Sequence, residues 1–245
     1  MSPVSVAFLC ALACLTGPAR AQAALALVEE SLKRHAAPAY VYEEHALVMT
    51  DRLGQYTLRT AHYYGQHEES RTRKLYIIES PAELKGAALQ IDRDLSAGTR
   101  RGPTPSIPAF GTNFLVADLD DEQVSDFRYE HDSERDLERV PHYVVRAVPA
   151  DASVIRATGY HQRRIYLRKD NLFISRIDYQ DRDGRPARRL SFRDPRPDEF
   201  GIWRASMMLM EDLRDGRRTL LKVERRVHSA DYVPPGVFEG LQARR

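Results

Sequence analysis

Apolar and polar residues alternate along most of this chain, most clearly in its C-terminal half. Phe173, Ile177 and Tyr179 fall on one side of an extended segment while Arg176, Asp178 and Gln180 fall on the other, the period of two that marks a strand. Leu190 and Phe192 stand against Arg189, Ser191 and Arg193 in the same way; Trp203, Ala205, Met207 and Leu209 share a face, as do Leu221, Val223 and Val227. The spans 163–168, 172–181, 188–193, 202–211 and 218–228 therefore read as strands. Asp170-Asn171, Asp183-Gly184 and Asp215-Gly216 join them through dipeptides suited to tight turns, so this half is predicted to be an antiparallel meander.

Upstream, residues 40–50, 55–64 and 71–79 are rich in Tyr, Val, Thr and Ile, with Asp51-Arg52-Leu53-Gly54 as a hairpin loop. Helical spacing occurs in few places. Ala24 to Arg34 puts Leu25, Val28 and Leu32 on one face and is ended by Pro38; Ser80-Pro81 opens a short turn through Leu84, stopped by Gly86. Pro234-Pro235-Gly236 leads into a last helical turn, Val237 to Leu241. Between these, Gly98 to Pro108 has no periodicity, and the 98–119 loop together with the terminal helices is expected to act as a lid. Phe110, Phe114, Leu115, Val116 and Leu119 follow it and need a buried face.

On the order of ten strands must share these few helices. The expected fold is mainly β with short helices: a strongly curved antiparallel sheet, or half-open β-barrel, covered by helices.

The N-terminus changes the picture in one respect. Val4 to Leu15 is apolar but too short to span a bilayer, and Ala19-Arg20-Ala21 or Ala21-Gln22-Ala23 supplies the small residues of a signal-peptidase site. Residues 1–23 are read as a signal peptide cut near residues 21–23, and 24–245 as a single domain in the periplasm. Cys10 and Cys14 fall inside the leader, so the mature chain would have no disulfide, thiol nucleophile or Cys-based metal site. Ala11 stands where lipidation at Cys14 would favour a bulky aliphatic residue.

The formal net charge is +2, and loss of Arg20 with the leader leaves +1. Charges are dense and interspersed, the pattern of a solvated surface and not of a nucleic-acid groove. The arginines between 185 and 226 lie on the charged face of the C-terminal strands, where they could meet anionic head groups or an acidic partner. The His residues lack His-x-His or His-x-x-x-His spacing, so no metal and no cofactor is expected. Asp118, Asp120 and Asp121 have no nucleophile or oxyanion hole beside them in sequence; they read as an acidic turn, and no catalytic residue is assigned.

The apolar faces are the candidate ligand site: Leu58, Leu75, Ile77, Phe173, Ile177, Tyr179, Leu190, Phe192, Trp203, Met207 and Leu209. Met207, Met208 and Met210 suit an adaptable cavity, since methionine fills irregular apolar space. An ordinary β core has the same signature, and the sequence leaves both open.

Several segments resemble the outer-membrane lipoprotein-sorting-like proteins, relatives of the Lol carriers. They are Ser80-Pro81-Ala82-Glu83-Leu84-Lys85-Gly86-Ala87-Ala88-Leu89, Gly111-Thr112-Asn113-Phe114 with Asp118-Leu119, Tyr179 to Gly184, and Ile202-Trp203-Arg204-Ala205 with the strands after it. The resemblance covers most of residues 40–245. One departure is that Asp92 to Ala109 lacks the Trp and Tyr of the family's Asp-x-Trp-x-Tyr-x-Pro strand, so a missing or remodelled strand is expected there. The resemblance implies a half-open barrel that holds acyl chains between membranes. It points to lipid or acylated protein as cargo, with an inner-membrane exporter of RND/MMPL type as a candidate partner. No nucleic acid is expected, and the state expected is a monomer. The alternative is a non-transporting envelope sensor or adaptor of the same fold that docks a membrane protein.

Overall fold

The computed structural model describes residues 17–94, 107–234 and 236–239. The chain runs α1 (Gly17–Arg34), β1 (Tyr40–Thr50), β2 (Tyr56–His67), β3 (Arg71–Ser80), β4 (Ala88–Asp94), α2 (Val116–Leu119), β5 (Phe127–Leu137), β6 (Val140–Pro149), α3 (Ala152–Thr158), β7 (Gln162–Arg168), β8 (Ile174–Gln180), β9 (Pro186–Pro197), β10 (Trp203–Asp212) and β11 (Arg218–Val227). All eleven strands form one antiparallel sheet in the order β4-β3-β2-β1-β11-β10-β9-β8-β7-β6-β5. It is two meanders sewn together where β1 pairs with β11, and β4 and β5 stand at its two ends.

Turn chemistry sets the register of the hairpins. In three of them an Asp is followed three residues later by a Gly at positive φ: Asp51 and Gly54, Asp181 and Gly184, Asp198 and Gly201. Each Asp carboxylate accepts the backbone N–H groups two and four residues ahead, at 2.8–2.9 Å. The side chain thus satisfies turn donors that a two-residue hairpin would leave to water, and the glycine supplies the left-handed bend. The β5–β6 hairpin, for which the sequence carries no such signal, turns instead on Glu138 and Arg139, both at positive φ.

The sheet curls because strands twist and because the ladder slips at five points, between Glu44/His45, Thr60/Ala61, His131/Ser133, Tyr166/Leu167 and Tyr179/Gln180. Its concave face carries the core: Leu47, Ala61, Ile78, Val145, Ile165, Ile177, Leu190, Met210 and Leu221, packed with Ala24 and Val28 of α1 and with Phe114. α1 begins at Gly17 and so extends across the expected cleavage region. Ser31 Oγ donates to Leu172 O at 2.7 Å, and Arg204 donates to the carbonyls of His35 and Ala36, which satisfies acceptors at the helix end.

The expected turn at 81–84 is present as Ala82–Leu84. β4 fills the start of the region where a strand was expected to be missing, and it pairs with β3 from Ala88 to Asp94. The loop expected at 98–108 lies largely outside the described residues, as do the two cysteines. Near the C-terminus a short helix lies at Ala230–Tyr232 and residues 236–239 form hydrogen-bonded turns; the end of the helical turn expected at 237–241 lies outside the described residues.

Candidate ligand-binding interior

Residues 107–126 cross the open side of the sheet and plug it. Pro108 and Leu115 form an isolated bridge, and between them Phe110 and Gly111 adopt positive φ. Thr112 Oγ1 donates to Ala109 O at 2.7 Å and accepts from Phe114 N at 3.1 Å, which tightens the loop. The result drives Phe114 into the core, 1% exposed. Asn113 is fixed from below by Thr219, whose hydroxyl accepts the Asn113 N–H at 3.0 Å and donates to Asn113 Oδ1 at 3.1 Å. Arg59 donates to Phe110 O. The Gly111-Thr112-Asn113-Phe114 motif is thus the tip of the plug.

The acidic run after it is a ladder of ion pairs, each rung reaching a different strand. Asp118 pairs with Arg188 of β9 at 2.5 Å, Asp120 with Arg93 of β4, Asp121 with Lys74 of β3 at 2.6 Å, and Glu122 with Arg163 of β7 at 2.5 Å. Arg188 also donates to Asn113 O at 2.7 Å, and Lys74 to Leu119 O at 3.2 Å. Burial disfavours the charged form of Arg188, Arg93 and Arg163, yet Asp118, Asp120 and Glu122 hold all three above the ordinary arginine range. The acidic turn read from the sequence is therefore a clamp. Its cations sit on the concave face, where alternation alone had suggested apolar residues.

The eleven predicted ligand residues divide by face. Ile177, Tyr179 and Leu190 lie in the concave core with Phe192 packed against it; Phe173 is buried beside them, edge-on to Phe192 and to His35, which follows α1. The other six lie on the opposite face. Leu75 is buried there under Val233 and Phe238, with Ile77 partly covered by the same segment. Leu58, Val48, Leu220 and Leu209 are cross-strand neighbours in one row of the outer face, with Leu58 50% exposed. Trp203 and Met207 share the outer parity of β10, and Trp203 lies under the Arg168 guanidinium at 5.2 Å.

The physical reason for the correction is that β3 and β10 are apolar on both sides. Lys74 and Thr72 face inward in β3, opposite to what polarity suggests, because Asp121 is there for Lys74 to pair with. In β10 the inward residues are Met208 and Met210. Sequence reasoning also missed the clamp cations Arg93, Lys74, Arg163 and Arg188; the only signal for them was the run Asp118-Leu119-Asp120-Asp121-Glu122.

Among the described residues, the space left inside is small: about 50 Å³ lies beside the clamp, lined by Arg93, Asp120, Glu122, Tyr160 and Arg163. Between Phe114, Leu47, Ala61, Leu221 and His45 there remains a void of about 10 Å³. Among the described residues no group of three or more His, Cys, Asp or Glu side chains is placed to hold a metal ion, and no helix is long and apolar enough to cross a membrane.

The comparisons agree with this architecture. A lipoprotein-sorting domain from Vibrio parahaemolyticus, solved by crystallography, is 19% identical and covers 92% of this chain and 100% of its own, with a TM-score of 0.79. A DUF1329 family protein from Desulfovibrio piger is 17% identical over 89% of this chain and 99% of its own, with a TM-score of 0.74. A LolA superfamily protein from Nitrosomonas europaea is 14% identical over 83% of this chain and 92% of its own, with a TM-score of 0.64. Among curated proteins, none matches the chain. A family model described as "Uncharacterized protein" matches residues 102–240. The chain belongs to that family, and its fold is that of the outer-membrane lipoprotein-sorting-like proteins.

Proposed function

We propose that this protein is a periplasmic carrier for lipid, lipoprotein acyl chains or similar apolar cargo, with residues 1–23 as its signal peptide and 24–245 as its single working domain. The observation that carries the reading is that the apolar concave face is closed by a plug held through polar clamps, not by a further strand of the sheet. Cargo binds by taking the place of Phe114 and Phe110 against Leu47, Leu190, Met208, Met210 and Leu221. Each buried methylene contributes roughly 0.8 kcal/mol, so one acyl chain offsets the displaced aromatic contacts. The shared fold of a lipoprotein-sorting domain supports the assignment. An inner-membrane exporter of RND/MMPL type is the candidate partner that would supply or remove cargo.

A second reading is favoured by the small size of the void. A filled interior suits a non-transporting sensor or adaptor that docks a membrane protein through its arginine-rich outer face.

Native mass spectrometry with lipid extraction, on protein purified from a periplasmic preparation, tests the first reading against the second. Co-purifying lipid or acylated peptide, lost on substituting Met208→Asp in protein that still folds, is the expected result. An apo mass together with no binding of a fluorescent fatty-acid probe would overturn it.

A further inference from the structure

His45 is a polar group in the plugged interior that is fixed on every side but one. Its side chain is 3% exposed. Nε2 lies 2.6 Å from Glu43 Oε2, and Glu43 Oε1 accepts from Arg226 Nε at 2.5 Å. Arg226 is held in turn by Ala205 O at 3.2 Å. The imidazole is stacked on Tyr63, with centroids 5.9 Å apart and planes 9° apart, and Tyr76 lies 6.1 Å away. These contacts leave the ring no freedom to turn. Nδ1 is buried and has no hydrogen-bond partner.

That orphan atom belongs to a residue lining the small void beneath Phe110 and Phe114, whose other walls include Leu47, Ala61 and Leu221. The void holds about 10 Å³, at the lower limit for one water, and a water needs two to four polar partners. Tyr76 and Thr112 are the other polar side chains in the lining, and Thr112 already spends its hydroxyl on Ala109 O and the Phe114 N–H. A buried nitrogen without a partner is a cost that a ligand would remove.

We propose that His45 Nδ1 is the polar anchor of the cargo site and that it takes the carboxyl head of a single-chain fatty acid. The proposal rests on the carrier reading above. A carboxyl group matches Nδ1 in either protonation state. As an acid it donates its O–H to the neutral ring, and as a carboxylate it accepts N–H from the charged one. An ester lacks the donor. The tail follows the aliphatic wall of Leu47 and Leu221 into the space of Phe114. Glu43 and Arg226 are positioning residues: they fix which ring nitrogen points inward.

The test is displacement of a bound fluorescent fatty-acid probe from the mature protein by palmitate, by methyl palmitate and by hexadecanol. Palmitate is expected to bind at least tenfold more tightly than the ester or the alcohol, and His45→Leu should erase that preference. Equal affinities in the wild type, a preference for the alcohol, or a palmitate preference that survives His45→Leu would overturn the anchor while leaving the carrier reading intact. No displacement by any of the three would overturn both. If His45→Leu does not fold, ¹⁵N NMR of the wild type decides instead. Palmitate should shift the His45 Nδ1 resonance and methyl palmitate should not; equal shifts from both would overturn the proposal.

Discussion

Glu122 and Arg163 meet as a two-toothed fork at the rim of the plug, Nη1 to Oε2 at 2.9 Å and Nη2 to Oε1 at 2.5 Å, with the arginine side chain only 6% exposed. The guanidinium is also pressed over the Phe127 ring at 3.7 Å, and Tyr129 donates to the same carboxylate at 2.7 Å. Removing one partner leaves a buried charge with nothing to balance it. Glu122→Ala should cost about 3 kcal/mol in urea unfolding, whereas Glu122→Ala with Arg163→Met should recover most of that loss. A single-variant loss under about 1 kcal/mol would mean the clamp is solvated and weak.

Phe114 is the largest residue the plug buries. Phe114→Ala should destabilise the protein by about 3–5 kcal/mol, the range for large-to-small changes in a core. The same change vacates the site assigned to cargo, so a fluorescent fatty-acid probe should bind more tightly to the variant. Lower stability with unchanged or weaker probe binding would indicate that the plug tip is only core.

Neighbouring residues of β10 offer a sharp contrast. Met210 is fully buried on the concave face, while Leu209 stands in the outer row with Leu220. Met210→Asp buries an unpaired carboxylate and should prevent folding or cost more than about 4 kcal/mol. Leu209→Asp should cost about 1 kcal/mol or less and leave cargo binding intact. Circular dichroism with lipid extraction of both variants checks this, and loss of cargo from Leu209→Asp alone would move the site to the outer face.

Acid should unfold the protein in two steps. Burial pushes the His67 imidazole down to about 4, against the opposing pull of Asp121. The unfolded chain therefore binds a proton that the folded one refuses between pH 6.5 and about 4, and stability falls as pH drops through that window. Burial raises Glu43, but its bonds to His45 and Arg226 prevail and hold it at about 2. Its contribution is present above pH 4.5 and is lost as pH falls from there towards 2. His35 and His142, both lowered by burial, add to the upper step. Melting temperature against pH should show both steps, and His67→Asn should flatten the upper one in part.

The strands were legible where one face is polar and where turns announce themselves. β8, β9 and β11 follow simple alternation, and Asp181 with Gly184 marks its own hairpin. The facing of β3 and β10 was not legible, because Leu75 and Ile77 are as apolar as Tyr76 and Ile78, and Met207 and Leu209 as Met208 and Met210. Only a partner distant in sequence decides between such faces: Val233 and Phe238 claim Leu75, and Asp121 draws Lys74 inward. The β5–β6 hairpin stayed hidden because Glu138 and Arg139 make a turn that Asn-Gly would normally make. The plug was visible as an apolar run needing cover. The ladder of strands that its acids reach was not, since each rung spans dozens of residues.

The clamp also fixes a dimension of the molecule. β4 and β5 end the sheet without pairing to each other, and the plug reaches Arg93 and Lys74 on one arm and Arg163 on the other. It therefore works like the string of a bow, holding two elastic arms at a set separation. Once the string is slack, the twist of eleven strands alone determines how far apart the arms rest. On the carrier reading proposed above, the girth of the barrel is then a variable that loading would change, and cargoes of different thickness would be accepted by one unaltered lining.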